Sequence, residues 1–431
     1  MDLEFLPFLS VYDPPGSSEG SLDPLGLYLI ADQLAMKLVP GVRERMLRVR
    51  FLTPITVGAL VTEGLEANPH HPETPPFLVW EWLVVEAIIR TKMNHPNLWG
   101  LPGSLVVRRA VTQYNYVDHR SYLKTPRVFG FHGVYKRLAV YLGLIDTHMH
   151  ICESKGLELI KNWSQDLGLG RFNHSHRLYN FWRKTVQSSL LKTPLRTMTH
   201  WTQKQWQELA EVFLPDDAKK NEKSFLKFLL LAEGNGNLGA LKYIWELCDG
   251  IEEDNINEKE THKNLKKKAP QYTAQLNAIR SYENFCRLLT DAFYSIRFMA
   301  SRSDATGFRI FENTYDALFK SLCSKVPDAF HNTVDCLARV YPDMEERFKD
   351  RFSVFAEPMS AAHFAKELCS HHEKIQQDKS REGKRPWFDR MGPEVIYMRA
   401  NYRVIDPPEM SDSFVHEYRT KPIFRFHRDL K

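Results

Sequence analysis

Residues Gly143–His150 read "GLIDTHMH", and three of them have the types and spacing for chemistry: Asp146, His148 and His150. In a strand, residues two apart share a face. An apolar strand ending in Asp-x-His-x-His therefore aims two imidazoles at one point, as a metal-dependent hydrolase built on a barrel does. Such a barrel needs seven more strand–helix units after residue 150. Residues 151–350 instead show helical spacing and few Val/Ile runs, and none of His174, His176, His200 or His262 ends a plausible strand. The other reading starts from the flanks. Val134, Leu138, Ala139 and Leu142 make "GFHGVYKRLAVYLGLID" (130–146) a helix that Gly143 stops. Leu144-Ile145-Asp146 is then a short strand, and "ICESKGLELIKNW" (151–163) opens a new helix. On that reading His148 and His150 alternate on a strand face, exposed or packed, and are not ligands.

A second cluster lies in "ELCSHHEKIQQDKSREGKRPWFDRMG" (367–392), where His371, His372 and Glu373 precede Lys374, Lys379, Lys384, Arg385 and Trp387. It reads as a nuclease or phosphate site, as a basic loop with an aromatic anchor, or as an ordinary helix end. Adjacent residues on a helix point about 100° apart, so His371 and His372 do not readily share one metal ion. No phosphate-loop, dinucleotide, nucleophile-elbow or H-E-x-x-H motif occurs, and "EGNGNLG" lacks the Lys-Ser/Thr of a phosphate loop. The expectation is a chain with no catalytic residue, no metal and no cofactor.

Charge is more informative. From Ser104 to Gly143 there are seven basic residues (Arg108, Arg109, Arg120, Lys124, Arg127, Lys136, Arg137) and one acid, Asp118. From Leu167 to Gln207 there are seven more (Arg171, Arg177, Arg183, Lys184, Lys192, Arg196, Lys204) and no acid. Set beside a net charge of only +5, these windows leave the rest of the chain acidic. Such sign asymmetry points to a polyanionic partner. The second window interleaves its cations with Phe172, Tyr179, Phe181, Trp182, Trp201 and Trp206, a pattern single-strand binders use for stacking. Leu178, Phe181, Trp182 and Val186 also have helical spacing, so the same aromatics read as core.

The elements that position these residues are mostly helices. Helices are expected near 24–38, 41–52, 76–91, 271–300, 312–325 and 328–340, with "EVIYMRANYRVIDPP" and "KPIFRFHRDLK" extended. The polar stretch 249–270, acids first and then lysines, reads as a linker. The expected domains are an N-terminal helical domain (1–100), a winged-helix domain (101–165), a basic and aromatic helical region (166–250), a charged linker or loop (251–270) and a C-terminal helical domain with an extended tail (271–431). The six cysteines (152, 248, 286, 323, 336, 369) are scattered and form no C-x-x-C, which suits reduced thiols in a cytoplasm. Apolar runs such as "FLVWEWLVV" are far short of a membrane span. The start, "MDLEFLPFLSVYDPPG", has neither a basic leader nor a cleavage site and is not expected to be a signal peptide.

Residues 101–163 resemble bacterial winged helix-turn-helix proteins whose recognition helix ends in "GLI" and whose wing returns into a "KG-x-E-L" helix. The resemblance places His132, Tyr135, Lys136 and Arg137 near the part of the helix that meets DNA. Three stretches, "SLDPLGLYLIADQLAMKLVPGVRERMLRVRFLTPITVGALV", "SYLKTPRVFGFHGVYKRLAVYLGLID" and "HHEKIQQDKSREGKRPWF", resemble bacterial proteins encoded in anti-phage defence islands. That resemblance implies a non-ATPase accessory subunit beside a helicase, methylase or nuclease.

The expectation is thus a mainly α, multi-domain protein with a winged helix-turn-helix domain and a small β or extended C-terminal part. Its expected DNA contacts are Arg108, Arg109, Arg120, Lys124, Arg127, His132, Tyr135, Lys136, Arg137, Arg171, Arg177, Arg183, Lys184, Lys384 and Arg385. Its expected partners are DNA and other subunits of a defence complex, with no membrane. The alternatives are a scaffold that docks a partner enzyme through apolar N-terminal helices, and a metal-dependent nuclease or hydrolase using His371 or Glu373.

Overall fold

The computed structural model describes residues 23–92, 100–197, 200–232, 238–251, 256–303, 306–311, 315–379 and 384–431. The chain is mainly helical, as expected. Its helices begin with α1 (Tyr28–Leu38), α2 (Leu52–Thr62), α3 (Pro76–Thr91), α4 (Ser104–Tyr114), α5 (Pro126–Phe129) and α6 (Phe131–Tyr141). Then come α7 (Lys155–Asp166), α8 (Arg177–Leu190), α9 (Gln203–Glu211), α10 (Lys220–Leu231), α11 (Leu241–Trp245) and α12 (Glu258–Lys268). The last are α13 (Thr273–Ser301), α14 (Ala317–Ala338), α15 (Pro342–Phe352), α16 (Ala361–Gln377) and α17 (Thr420–Asp429). Strands β1 (Phe308–Arg309), β2 (Phe388–Met391) and β3 (Val395–Met398) form an antiparallel sheet in the order β1-β3-β2.

The described residues pack as two compact units. The first holds the described residues up to Leu34 with Gln271–His416, and the second holds Ala35–Pro270 with Glu417–Lys431. The second unit is built on aromatic packing. Trp163 stacks on Phe213 at 5.4 Å, and Trp182 lies 5.6 Å from Trp80 and 5.5 Å from Phe172. Gly58 of α2 is required there, because a Cβ would sit 2.3 Å from the Trp80 ring. That indole donates to the Pro54 carbonyl at 2.9 Å. In the first unit Phe285 of the 29-residue α13 meets Phe330, Phe348 and Phe352 edge-on.

Several boundaries differ from the sequence reading, each for a physical reason. The helix expected at 41–52 is a turn, a 3-10 turn at Val49–Phe51 and then α2. What holds the chain there is buried Arg50. Its guanidinium meets Glu222 at 3.3 Å and donates to the carbonyls of Val212 and Leu214. The helices expected on either side of Pro327 are one continuous α14, whose residues Val326, Pro327, Ala329 and Phe330 are all buried. The packing of that face offsets the backbone hydrogen bond the proline removes. The charged stretch read as a linker contains α12: Asn257 caps it, Glu258 and Glu260 sit in its first turn, and Lys266, Lys267 and Lys268 sit in its last. Acid at the start and base at the end complement the helix dipole. "KPIFRFHRDLK" is helical, with Ile423, Phe424, Phe426 and His427 buried along α17.

The Arg50–Glu222 pair predicts a large effect. With side chains 2% and 1% exposed, Arg50→Ala leaves a buried carboxylate without its cation and costs about 3–5 kcal/mol. Chemical denaturation checks this. A loss below about 1 kcal/mol would contradict the central place given to the pair.

Candidate nucleic-acid interface

Gly143, at φ 71°, ends α6, and the chain turns back through one β-bridge, Ile145–Ile151. The turn between them uses the opening motif. One Asp146 oxygen accepts from the backbone N–H of His148 and of His150, both at 2.8 Å, and the other meets His150 Nδ1 at 2.9 Å. The bond from the His150 backbone is the main reason the Asp146 carboxyl lies below its usual range. The aspartate therefore closes its own loop, and both histidines are exposed. They sit on a turn rather than on the strand the sequence suggested.

The helix read as the DNA-recognition element is held from behind. Glu81 of α3, itself buried, receives the backbone N–H of Phe131 and of His132 at 2.9 Å each. His132 Nδ1 lies 2.6 Å from the same carboxylate, and the Tyr122 hydroxyl donates to it. Phe77 packs edge-on against the imidazole at 4.3 Å. Tyr135 is fully buried, and its hydroxyl accepts from the backbone N–H of Leu47 and of Arg48 at 3.0 Å. His132 and Tyr135, expected at the DNA surface, are thus core anchors. Their burial follows from the apolar face of α6, which turns Phe131, Val134 and Leu138 inward beside them. The short α5 lies against α6 at Gly133, where a Cβ would sit 2.4 Å from the Pro126 carbonyl oxygen.

The cations around this framework fall into two groups. Arg109, Arg120, Lys124 and Arg127 are exposed, and Lys136 is half-buried. Desolvation first, and then the Arg127 charge, push the Lys136 ammonium down, while Asp146 pulls it up. Arg108 is half-buried with a buried Nε that has no partner among the described residues, and Arg137 rests against the Met36 sulfur. In the second window Arg171 and Lys184 are exposed. Arg177 is exposed too but pairs with Glu208 at 2.5 Å. Arg183 closes the end of α2, donating to the carbonyls of Val61 and Glu63. In the first unit Arg385 is exposed and Lys384 half-buried.

The interleaved aromatics are mostly core. Phe172, Tyr179, Trp182 and Trp206 are buried, and Phe181 and Trp201 stack on each other at 5.1 Å. The helical-spacing reading therefore holds, and this window offers no row of rings for unpaired bases. Two residues that sequence reasoning missed stand out instead. Phe129 on α5 is 46% exposed, and Arg45 lies over its ring at 4.3 Å. The sequence signal was the Pro126 helix start between two basic residues, Lys124 and Arg127.

The remaining cluster is structural. His371 Nε2 meets the Leu25 carbonyl and His372 Nδ1 the Pro24 carbonyl, each at 2.9 Å. His372 Nε2 accepts from the Trp387 N–H at 3.0 Å, and Glu373 pairs with Arg390 at 2.6 Å. No family model, curated protein or solved structure matches the chain.

Burial pushes both imidazoles down to about 4 from 6.5. Their stability contribution is therefore complete above pH 6.5 and is lost as pH falls toward 4, because the unfolded chain takes up protons first. Urea unfolding of the protein should show a falling midpoint from pH 7 to pH 5, and H372Q should flatten that fall. A midpoint that stays constant over this window would contradict the assignment.

Proposed function

We propose that this chain is a non-catalytic, DNA-binding accessory subunit of a bacterial anti-phage complex, working in the cytoplasm. Its 101–163 segment serves as a winged-helix-like docking element. The observation that carries the reading is that Arg109, Arg120, Lys124, Arg127, Arg171 and Lys184 are exposed and make no ion pair among the described residues. The single acid of the first window, Asp118, is 8% exposed and spends its carboxylate on the backbone N–H of Arg120 and of Ser121. Nothing within that window neutralises its cations.

The mechanism is electrostatic. Long basic side chains displace counterions from phosphates, and the entropy of their release drives association. With the aromatics of the second window in the core, the grip is on backbone rather than on stacked bases, which suits duplex DNA. Contacts of this kind set register and orientation without reading sequence. No helix among the described residues is long and apolar enough to cross a membrane.

The scaffold alternative changes its footing. Of the apolar N-terminal helices it relied on, α2 is buried throughout and α3 is buried over Leu78–Ile89, while α1 leaves Tyr28 and Leu29 exposed. Its support is exposed apolar side chains, Leu29 of α1 at 48% and Leu105 and Leu191 of the second unit at 77% and 78%. The nuclease alternative loses its residues to the carbonyl and ion-pair contacts of His371, His372 and Glu373.

The test is the salt dependence of binding to labelled duplex by the wild type and by R109A/R120A/K124A/R127A. Each phosphate contact contributes about 0.9 to the slope of log K against log salt. The quadruple variant should bind more weakly on every sequence, with a slope shallower by about 3–4 if all four residues touch phosphate. Folding stability should change little, since the positions are exposed. An unchanged affinity and slope would overturn the proposal.

A further inference from the structure

We propose that Glu283, Cys286 and His416 form a binding site for a borderline divalent metal ion such as Zn2+. One donor atom from each lies within 4.8 Å of the others. Glu283 and Cys286 stand one turn apart on α13, so helix geometry puts carboxylate and thiol on one face. The third donor comes from 130 residues further along the chain, on a segment the glutamate already holds. Glu283 receives the backbone N–H of Val415 and of His416, and its other oxygen lies 2.7 Å from His416 Nδ1.

The second unit supplies an internal comparison. Glu81 holds Phe131 and His132 by the same three contacts, two successive backbone N–H groups and one Nδ1. There the neighbouring donor is the Tyr122 hydroxyl. A glutamate that clasps an X-His pair is thus a structural device this chain uses twice, and it needs no ion. What differs at Glu283 is the thiol. Sulfur, imidazole nitrogen and carboxylate oxygen together are a donor set suited to zinc and its neighbours rather than to calcium or magnesium.

The thiol must lose its proton to ligate an ion. Cys286 is fully buried, and desolvation followed by the charge of Glu283 holds its thiol well above the ordinary range. A divalent cation among the three donors reverses both effects. It gives the thiolate a counter-charge, and the thiol proton leaves to solvent as the metal–sulfur bond forms. Three protein ligands leave one position of a tetrahedral ion for a further donor. The ion would tie residues 415–416 to α13 through the His416 ring, whose ligating nitrogen carries no hydrogen, while the backbone N–H bonds to Glu283 remain.

The experiment loads the full chain with Zn2+ or Co2+ after chelator treatment, removes free ion, and reads stoichiometry and the sulfur-to-cobalt charge-transfer band. The wild type should retain one ion per chain and show the band. C286S and C286A, with folding verified by circular dichroism, should lose both. C248S, which removes another buried thiol, should keep both. No retained ion or no band in the wild type would overturn the proposal, as would a band that survives in C286S or disappears in C248S.

Discussion

The carboxylate of Glu81 is the point on which the candidate interface depends. It is an acid with almost no exposure, and an isolated carboxylate in such a place is strongly unfavourable. It is tolerated because four donors converge on it: the Tyr122 hydroxyl, two backbone N–H groups at the start of α6, and the His132 ring. Those bonds fix where α6 begins and which way it faces. They draw His132 inward, while Tyr135 is anchored separately by Leu47 and Arg48. The basic and aromatic residues just before α6, Lys124, Arg127 and Phe129, are left at the surface. A buried negative charge thereby helps decide which positive charges face solvent.

Acids elsewhere in the chain are used in the same way. Asp23 caps α1 by accepting from Leu27 and Tyr28. Asp166 receives the N–H groups of Asn221 and Glu222 at the start of α10. Asp118 and Asp146 close turns, Glu222 holds Arg50, and Glu283 holds the segment at Val415–His416. Glu86 is so desolvated that its carboxyl is raised to about 7 despite Arg90 beside it. Many of the acids outside the basic windows are thus engaged by backbone donors or by buried partners. The proposed DNA contact rests on the local basic windows rather than on the modest net charge.

Much of the helical framework was legible because it follows from apolar spacing. The helix 76–91 coincides with α3, and the spacing of Leu276, Ile279, Tyr282, Cys286, Leu289 and Phe293 lies along α13, all six buried. What the sequence hid are cases where a long-range contact overrides local pattern. Arg50 looks like a surface arginine until Glu222, 172 residues away, is brought to it. Pro327 looks like a helix end until its neighbours are buried. The basic windows were visible as composition, but composition does not separate Arg127, which is exposed, from Arg183, which is occupied by the end of α2. His132 and Tyr135 failed as surface residues for the same reason: their partners Glu81, Leu47 and Arg48 are 51, 88 and 87 residues distant. Residues 93–99 and 380–383, where a boundary and part of the basic loop were expected, lie outside the described residues.

The central claim is that exposed cations of the second unit grip a phosphate backbone without stacking bases. Fluorescence anisotropy with duplex and single-stranded DNA of equal length, at low and at physiological salt, tests it most directly. The account predicts binding at low salt that collapses as salt rises, with the duplex bound at least as tightly as the single strand. No binding to either at low salt would contradict it, and would assign the same cations to an acidic protein partner.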